Sequence, residues 1–126
     1  MQLLDLLIVD DSAAMRKILI RVLQKADIPI GSVYEAGDGI EALAMLKDNK
    51  VNLILSDINM PNMDGLQLLG QLRANEAWKA VPVIMITTEG SQAKVIEAVQ
   101  LGATGYVRKP FTSDQIKEKF VDAGLI

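Results

Sequence analysis

Residues 3–12, LLDLLIVDDS, combine a short apolar run with two adjacent acids. The run from Leu3 to Val9 lacks helical spacing and has the length and character of a strand that is covered on both faces. Two further segments resemble it, Leu53–Leu55 and Val83–Ile86. Weaker candidate strands are Ser32–Glu35 and Gly105–Val107.

Helical apolar patterns lie between these strands. The first comprises Met15, Ile18, Leu19, Val22 and Ala26, at spacings typical of one helix face, with Ser12 as the predicted N-cap and a basic face expected to be solvated. The later helices are marked by Ala42, Leu43 and Leu46; by Leu68, Leu69 and Leu72; by Val95, Ala98 and Val99 after Ser91; and by Ile116, Phe120 and Ala123 after Thr112 or Ser113. The glycines predicted at helix ends, where a positive φ is needed, are Gly31, Gly102 and Gly124.

Alternating strands and helices predict an α/β fold with a parallel sheet and helices on both faces. We expect a flavodoxin-like (βα)5 doubly wound sheet of five strands in the order 2-1-3-4-5, with right-handed crossovers. No linker or low-complexity stretch is visible, so residues 1–126 are predicted to form a single domain.

Composition excludes several classes of function. The net charge of −3 favours neither nucleic acid nor an anionic membrane surface. The chain contains no cysteine and no histidine, so any chemistry must use carboxylates, hydroxyls and lysine. The absence of cysteine fits a cytoplasmic protein. The N-terminus has no basic segment before its apolar run, so it does not resemble a signal peptide, and no run is long enough to span a membrane.

Polar residues follow four of the candidate strands: Asp10 and Asp11, Asp57, Thr87, and Lys109. In a doubly wound sheet, the carboxyl ends of the strands form the ligand site where the strand order reverses. Three carboxylates and one ammonium leave an excess of negative charge, and two like charges about 4 Å apart repel by roughly 4 kcal/mol at an effective dielectric of 20. Hard oxygen ligands without imidazole or thiolate favour Mg²⁺, with Mn²⁺ as the alternative.

Such a site supports phosphoryl transfer to a carboxylate. An ionised aspartate can attack phosphorus without a general base and form an aspartyl phosphate. The reaction mainly requires positioning and neutralisation of the phosphoryl oxygens, which a cation, the Lys109 ammonium and the Thr87 hydroxyl could share. The phosphoryl donor must then come from another molecule.

The motifs IVDDS at 8–12, SDINMPNMDG at 56–65, ITTEG at 86–90 and GYVRKPF at 105–111 resemble the receiver domains of bacterial response regulators. More narrowly, they are similar to the stand-alone chemotaxis response regulators, and the resemblance spans the whole chain. The resemblance implies a two-component signalling protein that switches its partners, not an enzyme with turnover of its own. It also implies self-catalysed phosphorylation and slow autodephosphorylation.

The resemblance also implies the metal and acceptor residues. Asp57 is expected to be the phosphoacceptor and, with Asp10 and Asp11, to hold Mg²⁺. Asn59 is expected to supply a backbone carbonyl to the metal. Independently of the resemblance, the Asp64-Gly65 pair predicts a turn and a helix cap rather than a catalytic acid at Asp64. The donor is expected to be a phosphohistidine on a partner histidine kinase.

The remaining roles implied by the resemblance concern switching. Thr87 and Lys109 would contact the phosphoryl group. When the Thr87 hydroxyl turns toward the phosphoryl group, Tyr106 would move inward. A cis peptide bond at Lys109–Pro110 would aim the amine into the pocket. Apart from the resemblance, Glu89 lies two residues after Thr87 and is either a residue that tunes the access of water or a plain surface acid. The target would dock on the fourth helix, fifth strand and fifth helix; the flagellar motor switch is the implied target, and a phosphatase is a further partner.

Other uses of the same residues stay open. The chain could be a phosphorelay intermediate, an isolated receiver of a longer regulator, or a receiver that binds partners without phosphorylation. Position 58 is Ile and position 88 is Thr, where the best-known chemotaxis members carry Trp and Ala. A Mg²⁺-dependent aspartyl phosphatase of the haloacid dehalogenase type needs two acids separated by one residue, whereas Asp10 and Asp11 are adjacent. A flavin carrier needs a Ser/Thr/Gly-rich loop after the first strand, where this chain has DDSAAM.

Overall fold

The computed structural model describes residues 2–88 and 90–126. Over these residues, five strands alternate with five helices, and all four strand pairs are parallel. The strands are β1 Leu4–Val9, β2 Ile30–Ala36, β3 Leu53–Ser56, β4 Val83–Thr87 and β5 Gly105–Arg108. The helices are α1 Ala13–Lys25, α2 Gly39–Asp48, α3 Gly65–Arg73, α4 Gln92–Gln100 and α5 Ser113–Asp122.

The strand order is β2-β1-β3-β4-β5, which confirms the predicted doubly wound sheet. The central strands β1, β3 and β4 are almost entirely buried, since helices cover both of their faces. One core lies between the sheet and helices α1 and α5, with Leu23 and Phe120 fully buried in it. The second lies on the opposite face, under helices α2, α3 and α4.

Side-chain caps fix where the helices begin. Ser12 accepts a hydrogen bond from the Met15 amide at 3.1 Å, as predicted for the N-cap of α1. Thr112, rather than Ser113, caps α5 through a reciprocal pair of hydrogen bonds with Gln115. These caps hold the helix starts next to the strand ends that precede them.

Three details of the sequence prediction are wrong. Ile18 is 47% exposed, because α1 turns Leu23 toward the sheet instead. Val99 is 64% exposed, because α4 covers the sheet mainly through Ala98. Gly31 lies inside β2 and is not a helix end; α1 ends earlier, and Asp27 takes the positive φ of 58° there.

In the described part of the chain, no helix is both long and apolar enough to cross a bilayer.

Gly102 and Gly124 have positive φ after α4 and α5, as predicted from their positions.

Candidate functional site

Three carboxylates meet at the carboxyl ends of β1 and β3. Each of Asp10, Asp11 and Asp57 offers an oxygen, and these oxygens all lie within 4.8 Å of one another. Asp10 is buried, Asp57 is partly buried and Asp11 is exposed, so the cluster opens to solvent on one side. The strand-end convergence expected from the sequence is therefore present for these three residues.

Backbone hydrogen bonds hold the two less exposed acids in place. The Asp57 amide donates to the Val9 carbonyl at 2.9 Å, and the Asp10 amide donates to the Ala36 carbonyl at 3.0 Å. The carboxylate of Asp10 accepts from the Ser12 amide at 2.9 Å, and that of Asp57 accepts from the Ile58 amide at 2.7 Å. The positions of both carboxylates thus follow from the sheet and from the first turns after it.

Lys109 brings an ammonium group into the cluster. Its Nζ lies 2.8 Å from Asp10 Oδ2 and 3.1 Å from Asp57 Oδ2, and its side chain is only 11% exposed. Burial lowers the pKa of Lys109, but the hydrogen bond to Asp10 and the charge of Asp57 outweigh burial, so the pKa lies above its ordinary value. The Lys109 amide donates to the Thr87 carbonyl at 2.9 Å, and the Lys109–Pro110 peptide bond is cis, as expected.

The donor set fits a hard divalent cation. Three carboxylates face one ammonium, so an excess of negative charge remains after Lys109 has paired with Asp10 and Asp57. Asp11, the exposed member, gives the cluster a carboxylate that solvent can reach. Mg²⁺ keeps several waters and needs few protein oxygens, which suits a cluster of three carboxylates at a protein surface.

The other predicted site residues lie around this cluster. Thr87 is fully buried at the end of β4, and Asn59 is exposed two residues after Asp57. Tyr106 is partly buried on β5 and pairs with Met85, while Thr87 pairs with Arg108. Because side chains alternate along strands, Thr87 and Tyr106 face the same side of the sheet, the side covered by α4. Glu89 lies outside the described residues.

The N-terminus of α3 packs closely against the Asp57 backbone. A Cβ added at Gly65 would lie 2.0 Å from the Asp57 carbonyl oxygen, so only glycine fits at this contact. The Gly65 amide donates to the Ile58 carbonyl at 2.8 Å, and Asp64 caps the helix in a reciprocal pair with Gln67. Asp64 is therefore a helix cap, as predicted, and the chain turns sharply after Asp57.

Sequence reasoning missed Arg16. Its guanidinium was expected on a solvated helix face, but the side chain is only 18% exposed and donates to the Asp10 carbonyl and to Glu35. Arg16 lines the same small cavity as Asp57 and Lys109. A sequence signal did exist: Arg16 follows the N-cap Ser12 by four residues, which places it one turn above the β1 end.

Comparisons with known proteins give the family. Residues 6–121 match the model of the response regulator receiver domain. Over 116 residues, the chain is 44% identical to the chemotaxis protein CheY-3 of Vibrio cholerae, covering 92% of this chain and 88% of that protein. It is 43% identical to the chemotaxis protein CheY of Pseudomonas aeruginosa, covering 92% of each.

Solved structures agree with this relationship. The chemotaxis protein CheY4 of Vibrio cholerae superposes with a TM-score of 0.85 at 34% identity, covering 97% of this chain and 99% of that one. A CheY of Borrelia burgdorferi, solved in a complex with CheX, BeF3 and Mg²⁺, gives a TM-score of 0.87 at 26% identity, covering 98% of this chain and 90% of that one. The chain belongs to the response regulator receiver domain family and is a signalling module homologous to the CheY chemotaxis response regulators.

Proposed function

We propose that Asp57 accepts a phosphoryl group from a histidine kinase in the presence of Mg²⁺. The observation that supports this most strongly is the convergence of Asp57 with two further carboxylates and the Lys109 ammonium at one partly open edge of the sheet. Asp10, Asp11, Asp57 and the backbone carbonyl of Asn59 are the proposed metal ligands. When bound, Mg²⁺ would supply positive charge for the phosphoryl oxygens.

The protein residues account for the rest of the transfer. A carboxylate oxygen of Asp57 attacks the phosphorus atom of phosphohistidine, the new O–P bond forms as the P–N bond breaks, and the imidazole leaves and takes a proton from solvent. Lys109, which already contacts Asp57 Oδ2, neutralises a phosphoryl oxygen, and the Thr87 hydroxyl donates to another. Slow attack of water on phosphorus breaks the O–P bond and restores the Asp57 carboxylate.

Phosphorylation then changes the surface that partners contact. The phosphoryl group adds negative charge and three acceptor oxygens, which favour a conformer in which the Thr87 hydroxyl turns toward the group. Tyr106, on the same side of the sheet, moves inward into the space that Thr87 leaves. The proposed docking face for the target comprises α4, β5 and α5.

The biological role proposed here is chemotaxis, with a flagellar motor switch protein as the target and a phosphatase as a further partner. The names of the relatives support this role, because both curated relatives named above are chemotaxis proteins. The protein would work in the cytoplasm, with residues 1–126 acting as one receiver domain, and its net charge of −3 favours neither a nucleic acid nor a membrane partner. A role as a phosphorelay intermediate would use the same site.

The acceptor is tested by substitution. Asp57→Asn should abolish labelling by a small phosphodonor in the presence of Mg²⁺, because an amide is not a nucleophile for this reaction. Asp64→Asn is the matched control: Asp64 is a partly buried helix cap and not a member of the acidic cluster, so labelling should persist. Labelling of Asp57→Asn at the wild-type rate would refute the assignment, and rapid turnover of aryl phosphates would favour a phosphatase instead.

The partner is tested by a pull-down. Protein treated with beryllofluoride and Mg²⁺, a stand-in for the phosphorylated state, should retain a motor switch protein that untreated protein does not. Equal retention in both states would contradict the proposed switch, and retention of a histidine phosphotransfer protein alone would favour the phosphorelay role.

A further inference from the structure

We infer that Arg16 is a positioning residue for the Asp10–Asp11 pair, because it clamps the Asp10 carbonyl to Glu35 on the neighbouring strand. The inference rests on the proposed Mg²⁺ site, whose exposed ligand is Asp11. It concerns a residue that the phosphoryl-transfer chemistry itself does not use.

The bridge consists of two contacts from one guanidinium. Arg16 Nε lies 3.0 Å from Glu35 Oε1, and Arg16 Nη1 donates to the Asp10 carbonyl oxygen. The planar guanidinium presents donors in a fixed fork, so one side chain holds both groups in a defined geometry. Arg16 reaches the two acceptors with two different nitrogens, whereas an ammonium at this position would have to bring its single nitrogen within reach of both.

The bridge completes a two-sided attachment of Asp10 to β2. The Asp10 amide donates to the Ala36 carbonyl at 3.0 Å, and Arg16 ties the Asp10 carbonyl to Glu35, the residue before Ala36. The Asp10 carbonyl and the Asp11 amide belong to one planar peptide group. The clamp therefore fixes the direction in which the chain leaves Asp10 toward Asp11.

This fixation matters because Asp11 lacks the support that its neighbour has. Asp10 is buried and its carboxylate accepts from the Ser12 amide and from Lys109, whereas Asp11 is exposed. A carboxylate that is not packed by its surroundings depends on its backbone for direction. Partners that orient metal ligands typically change metal affinity by about 10–100-fold when they are removed.

A purely electrostatic role of Arg16 would have the opposite sign. A cation near a metal site repels Mg²⁺, so neutralising that cation should tighten Mg²⁺ binding. Positioning predicts weaker binding even when the charge is kept. Arg16→Lys, which keeps the charge and loses the fork, separates the two effects.

Lys17 provides a matched control on the same helix. It pairs with the same carboxylate, at 3.0 Å from Glu35 Oε2, but its side chain is 64% exposed and the contact reaches no residue of the acidic pair. Lys17→Gln should therefore leave Mg²⁺ affinity unchanged.

The test is calorimetric titration of Mg²⁺ into the wild-type protein, Arg16→Lys, Arg16→Gln and Lys17→Gln, with urea unfolding in EDTA to show that each variant is folded. We expect the dissociation constant to rise by about tenfold in Arg16→Lys and at least as much in Arg16→Gln. Glu35→Gln, which keeps Arg16 and weakens its anchor, should also bind Mg²⁺ more weakly. In the metal-free protein, the Asp11 amide resonance should shift in Arg16→Lys and stay in place in Lys17→Gln.

Wild-type affinity in Arg16→Lys, or tighter binding in Arg16→Gln than in the wild type, would overturn the inference. Absence of Mg²⁺ binding by the wild-type protein would instead overturn the proposed function, so the two failures are distinguishable.

Discussion

Replacing Lys109 with Met removes the ammonium that lies 2.8 Å from Asp10 Oδ2 and 3.1 Å from Asp57 Oδ2. Each ion pair is worth roughly 5–6 kcal/mol of Coulomb attraction at an effective dielectric of about 20. Desolvation offsets much of that attraction, and removal of one partner from a buried pair typically costs about 3–5 kcal/mol. Because all three side chains keep some exposure, between 8% and 12%, we expect the metal-free variant to lose about 3 kcal/mol of unfolding free energy.

Magnesium should reverse most of this loss. The oxygens that Lys109 contacts belong to two of the proposed metal ligands, so the ammonium and the dication compete for the same carboxylates. Recovery of about 2 kcal/mol in saturating Mg²⁺ corresponds to roughly 30-fold tighter binding in the variant, since 1.4 kcal/mol is a factor of ten. Because Mg²⁺ binding and folding are thermodynamically linked, the gain in Mg²⁺ affinity and the unfolding free energy recovered in Mg²⁺ must agree.

The assay combines urea unfolding, in EDTA and in saturating Mg²⁺, with calorimetric titration of Mg²⁺. Lys117→Met is the control, because Lys117 is an exposed lysine of α5 for which little change is expected in either condition. A Lys109→Met protein that binds Mg²⁺ no more tightly than the wild type, or that loses the same unfolding free energy in both conditions, would refute the proposed competition between the ammonium and the dication.

Two further predictions concern the backbone contact at Asp57 and the acid stability of the protein. Gly65→Ala should cost about 2 kcal/mol of unfolding free energy and slow the labelling of Asp57, because the new Cβ would lie 2.0 Å from the Asp57 carbonyl. Gly70→Ala in the same helix, with its nearest neighbour 4.0 Å away, should stabilise by about 0.5 kcal/mol, and a Gly65→Ala protein as stable as Gly70→Ala would contradict the packing argument. The pKa of Glu35 is lowered chiefly by the hydrogen bond from Lys17; burial opposes this effect and Arg16 adds to it. The Glu35 carboxylate therefore stabilises the folded state above pH 4.5, its ordinary pKa, and this stabilisation is lost as the pH falls through the lower pKa of the folded protein. Glu35→Gln should be less stable than the wild type at neutral pH, and the difference should shrink as the pH falls below 4.5, as followed by urea unfolding at a series of pH values; parallel curves would contradict this.

Much of the site could be predicted from the sequence because it depends on strand ends. The runs before Asp10 and Asp57 are apolar without helical spacing, so both acids had to follow buried parallel strands. Once β1 and β3 are neighbours, their carboxyl ends lie at one edge, and the acids that follow them are close in space. The cluster of Asp10, Asp11 and Asp57 follows from this topology rather than from any local motif.

The parts that could not be predicted depend on side-chain reach and helix rotation. The sequence pattern of α1 indicates which positions are apolar, but the rotation of the helix against the sheet determines that Leu23 rather than Ile18 faces the core. The spacing of Arg16 from Ser12 places it one turn above the β1 end, but periodicity does not show that its long side chain turns back to the Asp10 carbonyl. The end of α1 depended on Asp27 taking a positive φ, a conformation that residues other than glycine adopt uncommonly.

We propose that a hard dication neutralises the excess of negative charge that strands β1 and β3 bring to one spot. The most direct measurement is the thermal unfolding midpoint of the wild-type protein and of Asp11→Asn in EDTA and in Mg²⁺. At ten times its dissociation constant, Mg²⁺ should stabilise the wild-type protein by about 1.4 kcal/mol, which raises the midpoint by several degrees. We expect this rise in the wild type and its near loss in Asp11→Asn; an unchanged wild-type midpoint at millimolar Mg²⁺, or an equal rise in both proteins, would contradict the proposed neutralisation by a dication.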